Sequence, residues 1–326
     1  MRAVFQERYG SADALEVREI ERPQPGEGEV VLEVHAAGVD RGVWHLMTGK
    51  PYAVRAAGYG ITRPRQAVPG LDLAGTVVEV GKGVSRFEVG DDVFGIGIGS
   101  YAEYARAPED KLVHKPATLS FDQAAAVAIS GLTAIQAVED VARVRPGQEV
   151  LVLGASGGVG SFAVQLAKAA GARVTGVSSG AKADFVSSLG ADEVIDYATS
   201  DPTAAADTYD VIIDTGGRNG LGKLRHALTP TGTLVIVGGE DGGSFTGGTG
   251  RQLRAILLSP FVRQRLRTFV SKEHHEGVER LRSHIEAGNL TPAVSTTYPL
   301  ERAADALRDL EEGRIRGKAV VRVRPG

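Results

Sequence analysis

The chain contains no cysteine among its 326 residues. That absence excludes disulfides, a thiolate nucleophile, and any zinc or iron–sulfur site built on cysteine ligands. Long apolar runs are missing too: none reaches the roughly 20 residues that a membrane-spanning helix needs. The N-terminus passes straight from Met1 into the strand-like Ala3-Val4-Phe5. A cytoplasmic location is therefore the expectation. An excess of one charge is also lacking. The net charge of −3 gives no bulk electrostatic case for nucleic acid as a partner. What is present, 42% hydrophobic and 24% charged residues, is the composition of an ordinary globular protein, long enough for two domains.

The first third alternates short β-branched runs with glycine and proline, as in Glu29 to Val34, Gly75 to Val80 and Asp92 to Gly95, and reads as an irregular all-β domain. From about Ala124 the texture changes. An Ala-rich helical stretch, Gln123 to Val141, precedes a strand at Glu149 to Leu153. Further strands at Ala172–Val177, Glu193–Asp196, Asp210–Asp214 and Thr233–Val237 alternate with helix-like segments, which predicts βαβ units in a parallel, doubly wound sheet. A terminal strand, Lys318 to Val323, is expected to return to the first domain. The division expected is 1–123 with 266–326 for the β domain and 124–265 for the nucleotide-binding domain.

The strand at 149–153 runs into Gly154-Ala155-Ser156-Gly157-Gly158-Val159-Gly160 and then into the apolar-periodic Phe162, Val164, Leu166 and Ala167. Strand, glycine turn and helix together form the context that a dinucleotide motif requires. Ala155 stands where the first glycine is usual. Gly157 lets the backbone approach a pyrophosphate, and Gly160 lets the helix sit close to the strand. Where an NAD site carries an acidic residue about 20 residues on, this chain reads Val177-Ser178-Ser179-Gly180-Ala181-Lys182. Two hydroxyls and an ammonium suit the 2′-phosphate of NADP(H), which a carboxylate would repel.

Beyond this turn the chain resembles the medium-chain dehydrogenase/reductase superfamily over nearly its whole length. The segments carrying the resemblance include Ala36 to Asp40, Pro69 to Gly75, Gly90 to Val93, Gly99 to Tyr104, Gly131 to Ala134, Val144 to Gln148, Leu189 to Asp192 and Gly317 to Val321. The resemblance implies a GroES-like irregular β catalytic domain beside a Rossmann nucleotide-binding domain. Zinc members carry a G-H-E motif where this chain has Gly70-Leu71-Asp72. Leucine has no lone pair to give, so no catalytic zinc is expected. The zinc-free quinone and enoyl reductases match better, and imply hydride transfer from NADPH to a quinone or an activated C=C bond. By the same resemblance Thr133, Val237, Gly238 and Gly239 flank the nicotinamide, Tyr197 lies near the adenosine phosphate, Arg316 or Arg314 reaches toward the 2′-phosphate, and two copies form a homodimer by sheet continuation near Thr233–Val237.

Quinone reductases commonly show V-N-x-x-D where this chain reads Val39-Asp40-Arg41-Gly42-Val43-Trp44, so their quinone-site residues do not transfer directly. Tyr52, near where the family places a tyrosine, is the first candidate for contact with a small-molecule substrate: its phenol keeps a proton at neutral pH. His45 is a candidate proton relay and Asp40 a third catalytic candidate, or else a cap for a turn. Trp44, the only tryptophan, is either a stacking wall or core. The arginines between 55 and 65 read as solvated loop charge, with attraction of an anionic substrate such as a CoA thioester as the alternative. The seven glycines of 238–250 suit either a loop closing over a cofactor or a plain connector. Two other functions remain: a zinc-free alcohol dehydrogenase or carbonyl reductase, and a nucleotide- or RNA-binding protein on the same fold.

Overall fold

A computed structural model describes residues 1–238 and 249–324. In chain order its strands are β1 (Arg2–Phe5), β2 (Glu16–Glu19), β3 (Glu29–Val39), β4 (Asp72–Val80), β5 (Asp92–Ile96), β6 (Tyr104–Pro108) and β7 (Leu112–His114). There follow β8 (Glu149–Leu153), β9 (Arg173–Ser178), β10 (Glu193–Asp196), β11 (Tyr209–Asp214), β12 (Leu228–Ile236), β13 (Arg265–Thr268), β14 (Val294–Pro299) and β15 (Lys318–Arg322). The longer helices are α1 (Arg41–Thr48), α2 (Ala128–Ile135), α3 (Gly158–Ala169), α4 (Thr249–Leu258), α5 (His275–Glu286) and α6 (Ala303–Glu311). The chain divides into two compact units, Met1–Leu132 with Glu273–Gly326, and Thr133–Lys272.

The first unit is built on a sheet ordered β14-β15-β3-β4-β5-β7, with β6 also pairing β3 and a separate β1-β2 ribbon. Pairing is antiparallel except between β14 and β15. The terminal strand does return here: Ala319 of β15 lies opposite Val39 of β3. Strand β3 runs five residues beyond its β-branched portion, through Ala36-Ala37-Gly38. Those small residues carry no strand signal of their own, but they are buried and held by β4 on one side and β15 on the other. Tertiary pairing overrides weak propensity here.

The second unit is a six-stranded sheet in the order β10-β9-β8-β11-β12-β13, parallel throughout. Its central strands are apolar on both faces; Val150, Leu151, Val152 and Leu153 are all buried, as expected of a sheet covered on both sides. Numbered within the unit, the order is 3-2-1-4-5-6. It reverses between β8 and β11, so a crevice opens beyond their carboxyl ends, where such sheets bind ligands. The β13 strand has no counterpart among the expected strands: Arg265-Leu266-Arg267-Thr268 is half arginine and shows little apolar alternation. It pairs β12 and occupies the sheet edge, so the edge is one strand further out than Thr233–Val237. The Ala-rich stretch 123–141 is not one helix. It breaks into a turn at Phe121–Ala124, α2, and a π-helical stretch Gln136–Ala142.

Candidate functional site

At the reversal point β8 ends in Gly154, whose φ of 77° is a left-handed conformation that glycine adopts without strain. The Gly157 N–H donates to Gly154 O at 3.0 Å, and Gly157 caps α3 with no side chain on the helix end. A Cβ at Gly160 would lie 2.1 Å from Gly154 O and 2.8 Å from Ala155 Cα, so only glycine lets α3 approach β8 this closely. Ala155 is buried and its N–H donates to Val177 O at 3.0 Å, tying the turn to β9. The first-turn N–H groups of Gly158, Val159 and Gly160 have no intrahelical acceptor, and the helix dipole adds partial positive charge to them. Ser156 is half-buried beside them. A cradle of bare backbone at a helix N-terminus fits the pyrophosphate of a dinucleotide.

The Ala155–Val177 bond brings the end of β9, and with it Ser178, beside that turn. Ser178, at the end of β9, is buried, and its hydroxyl donates to Ser179 O at 3.1 Å. Ser179 and Lys182 are half-buried, and Lys182 closes the short turn Gly180–Lys182. Tyr197 is exposed, with its N–H on Ser178 O at 3.2 Å. Val237 donates its N–H to Asp214 O at 3.0 Å, and Gly238 follows it. Gly239 and the glycine-rich run to 248 lie outside the described residues. Thr133 is half-buried on α2.

Two acidic residues escaped the sequence reading. Asp196, at the end of β10, stands opposite Ser178, and a Cβ at Gly180 would lie 2.6 Å from its Oδ2. It reaches the Ser/Lys turn through strand register, 18 positions from Ser178 along the chain. Asp214, fully buried at the end of β11, forms an ion pair with Arg251 of α4, Nη1 to Oδ2 2.7 Å. Burial raises its pKa against the pull of that guanidinium. Arg251 also donates to Asn219 O and Gly238 O at 2.8 and 3.2 Å, so it fastens α4 to the carboxyl edge of the sheet.

In the first unit, Asp40 is the N-cap of α1. Its Oδ1 accepts from Val43 N at 3.0 Å, a contact worth about 1 kcal/mol. Its Oδ2 is buried with no hydrogen-bond partner, and burial raises its pKa. Trp44 packs against the core, and its Nε1 is buried and unpartnered. His45 Nδ1 lies 2.7 Å from Lys50 O. A carbonyl only accepts, so Nδ1 carries the hydrogen and Nε2 is the acceptor of the neutral ring. Tyr52 is 39% exposed at the start of the turn Tyr52–Val54, and the Arg55 guanidinium lies 4.8 Å from its ring centroid. Arg316 is exposed, while Arg314 pairs with Asp309 and Glu312.

A buried charge cluster in this unit was not legible in the sequence, because 246 positions separate its partners. Lys318 Nζ of β15 donates to Asp72 Oδ2 at 3.1 Å and to Ser130 Oγ at 3.3 Å, with both charged side chains essentially inaccessible. Asp72 Oδ1 accepts from Ile129 N at 2.7 Å and thereby caps the first turn of α2. Burial pushes the Asp72 carboxyl up to about 7 despite the ammonium. Leu71, beside it, packs against the core. Among the described residues no three His, Asp or Glu side chains converge as a metal-ligand set.

The chain's relatives agree with this architecture. The description "Alcohol dehydrogenase GroES-like domain" matches residues 26–117 and "Zinc-binding dehydrogenase" matches 189–321. The chloroplast envelope quinone oxidoreductase homolog of Arabidopsis thaliana is 31% identical, covering 96% of this chain and 95% of its own length. The solved quinone oxidoreductase of Coxiella burnetii superposes with a TM-score of 0.86 at 29% identity, over 99% of both chains. The Escherichia coli quinone oxidoreductase complexed with NADPH gives 0.83 at 26% identity, over 99% of this chain and 100% of that one. The chain belongs to the medium-chain dehydrogenase/reductase superfamily, in its quinone oxidoreductase and enoyl reductase-like branch.

Proposed function

We propose that this protein is an NADPH-dependent oxidoreductase that reduces a quinone or an activated C=C bond without zinc. The observation that carries the reading is the Gly154–Gly160 turn at the reversal point of the second unit's sheet, with Ser179 and Lys182 beside it. The E. coli relative that superposes over the full chain is itself complexed with NADPH. When bound, the cofactor supplies a hydride; the acceptor takes it together with one proton and leaves reduced. The chain's own part is to bind and orient. Backbone N–H groups of Gly158 to Gly160 hold the pyrophosphate, and Lys182 meets the 2′-phosphate. Thr133, Val237 and Gly238 flank the nicotinamide, with Tyr197 near the adenosine phosphate and Arg316 contributing positive charge. Tyr52 donates a hydrogen bond to the acceptor oxygen, His45 Nε2 relays a proton, Trp44 bounds the acceptor, and Asp40 fixes the start of α1, which carries Trp44 and His45.

Two features support zinc independence: no cysteine exists, and Leu71 stands where zinc members of the family carry a histidine. We further propose a cytoplasmic homodimer acting on a small molecule, with neither nucleic acid nor membrane as partner. Support for the dimer is the outer edge of β13, unpaired among the described residues, with Leu257, Phe261 and Val270 exposed before and after it in sequence. No described helix is long and apolar enough to cross a membrane. The deciding experiment follows NADPH oxidation by chelator-treated protein against quinones, enones, enoyl thioesters and aldehydes, with NADH in parallel. NADPH-selective turnover of a quinone or enone is expected. Turnover of aldehydes alone, activity restored only by zinc, or tight RNA binding without turnover overturns the reading.

A further inference from the structure

From Arg41 to Leu71 the chain carries five cationic residues and no acidic one. This is at odds with a protein whose net charge is −3. Within the segment, Arg55 is half-buried and clamped between two tyrosines, its guanidinium 4.3 Å from the Tyr9 ring centroid and 4.8 Å from that of Tyr52. Its Nε donates to Gly49 O at 2.9 Å and its Nη2 to Thr48 O at 3.5 Å. Those contacts fix the plane of the group but leave its charge uncompensated, since no carboxylate among the described residues pairs with it. The Tyr9 hydroxyl donates to Tyr59 O and Gly60 O at 2.9 and 2.6 Å, and Arg65 N closes onto Tyr59 O at 2.8 Å. Tyr9 thus holds Arg55 with its ring and the turn bearing Arg63 and Arg65 with its hydroxyl. Arg63 and Arg65 are exposed, and neither side chain has a bonding partner among the described residues. Arginines such as Arg18, Arg302 and Arg308, by contrast, are matched to carboxylates.

We infer that Arg55, Arg63 and Arg65 select an electron acceptor that carries an anionic group, a carboxylate, sulfonate or phosphate, whose reducible end lies against Tyr52. The inference rests on the proposed reductase activity and narrows its substrate class. A rigid guanidinium stacked on aromatic faces keeps its remaining N–H donors oriented for bidentate anion recognition at little further entropic cost. The two exposed arginines add long-range attraction, which salt screens.

The test compares 1,4-naphthoquinone with its 2-sulfonate as acceptors for the wild type, R63Q/R65Q, R55Q and R55K. The ratio of kcat/KM between the two quinones, followed from variant to variant, cancels their difference in intrinsic reactivity. R63Q/R65Q breaks no side-chain bond and serves as the variant that folds. A fall of about fivefold or more in the sulfonate-to-neutral ratio is expected in R63Q/R65Q and in R55Q, with partial rescue in R55K. The sulfonate's kcat/KM in the wild type should also decline with ionic strength. An unchanged ratio and no salt dependence, with naphthoquinone still reduced, overturns the inference and leaves the reductase reading standing. If the wild type reduces neither quinone, that reading falls, and equilibrium titration of both quinones through Trp44 fluorescence decides: tighter sulfonate binding lost in the variants supports the anion site, and equal binding overturns it.

Discussion

At the scale of single residues, the Gly154–Gly160 turn makes the sharpest demands. Gly160→Ala would push a methyl group into Gly154 O and Ala155 Cα, and backbone at that contact cannot swing aside as a side chain can. Displacement of α3 from β8 should weaken NADPH binding at least tenfold and lower Tm, both measurable by titration and thermal melting; a variant binding as tightly as the wild type would show that the turn is not the pyrophosphate site. Lys182→Ala should raise the KM for NADPH about tenfold and leave that for NADH nearly unchanged, since a 2′-phosphate contact is present in only one of them. Such residues are legible in sequence because the turn is local, with strand, glycines and helix adjacent in the chain. Asp196 is not, since it meets Gly180 only after β10 has paired β9. Its carboxylate stands beside Gly180, a placement that arises only from the pairing of two separate strands.

At the scale of elements, strands β8 to β12 are legible because each is a short apolar run bounded by turn residues and separated by helical periodicity. The edge strand β13 is hidden for the converse reason. Exposed to solvent along one side, it needs no continuous apolar face, and its two arginines leave only Leu266 buried. Such an edge presents unpaired backbone groups. The exposed Phe261, at 84%, and Leu257, at 71%, lie just before it in the chain. Sheet continuation between two copies would bury them. Phe261→Asp is therefore expected to shift the protein from dimer to monomer in sedimentation at micromolar concentration, without loss of the far-UV signal. A wild type already monomeric there removes the proposed dimer. Within the first unit, the turn Tyr52–Val54 and its π-helical continuation fall where the sequence reads as loop, since neither periodicity nor a capping signal announces so short a helix.

At the scale of the whole molecule, the first unit is assembled from stretches remote in sequence, and the Asp72–Lys318 pair joins them: β4, the start of α2, and β15 at the end of the chain. Asp40 and Tyr101 face the same interior. Tyr101 donates to Gly38 O at 3.2 Å, and burial together with the Asp40 and Asp72 charges raises its pKa. Two carboxyls share one ammonium here. Asp72 releases its proton only near pH 7 in the folded chain, whereas an unfolded aspartate does so near pH 3.9. Between those values the native state binds more protons than the unfolded one, so this group's contribution to stability is full below about pH 4 and is lost as pH rises toward about 7. Asp40 shifts in the same direction. Surface carboxylates such as Asp13, Asp192 and Asp305, lowered chiefly by hydrogen bonds to Arg308, Lys168 and Arg302 respectively, act oppositely and lose their contribution in acid. Asp72→Asn isolates the buried carboxyl from them. It replaces the Oδ2 that accepts from Lys318 Nζ with an amide nitrogen that can only donate, and leaving that buried donor without its acceptor costs about 1–3 kcal/mol. Because the variant lacks the Asp72 proton linkage, its Tm deficit relative to the wild type should be largest near pH 5 and narrow toward pH 8. A deficit constant or widening over that range would mean that Asp72 is already ionised in the folded protein at pH 5, and that the attraction of Lys318 outweighs the burial.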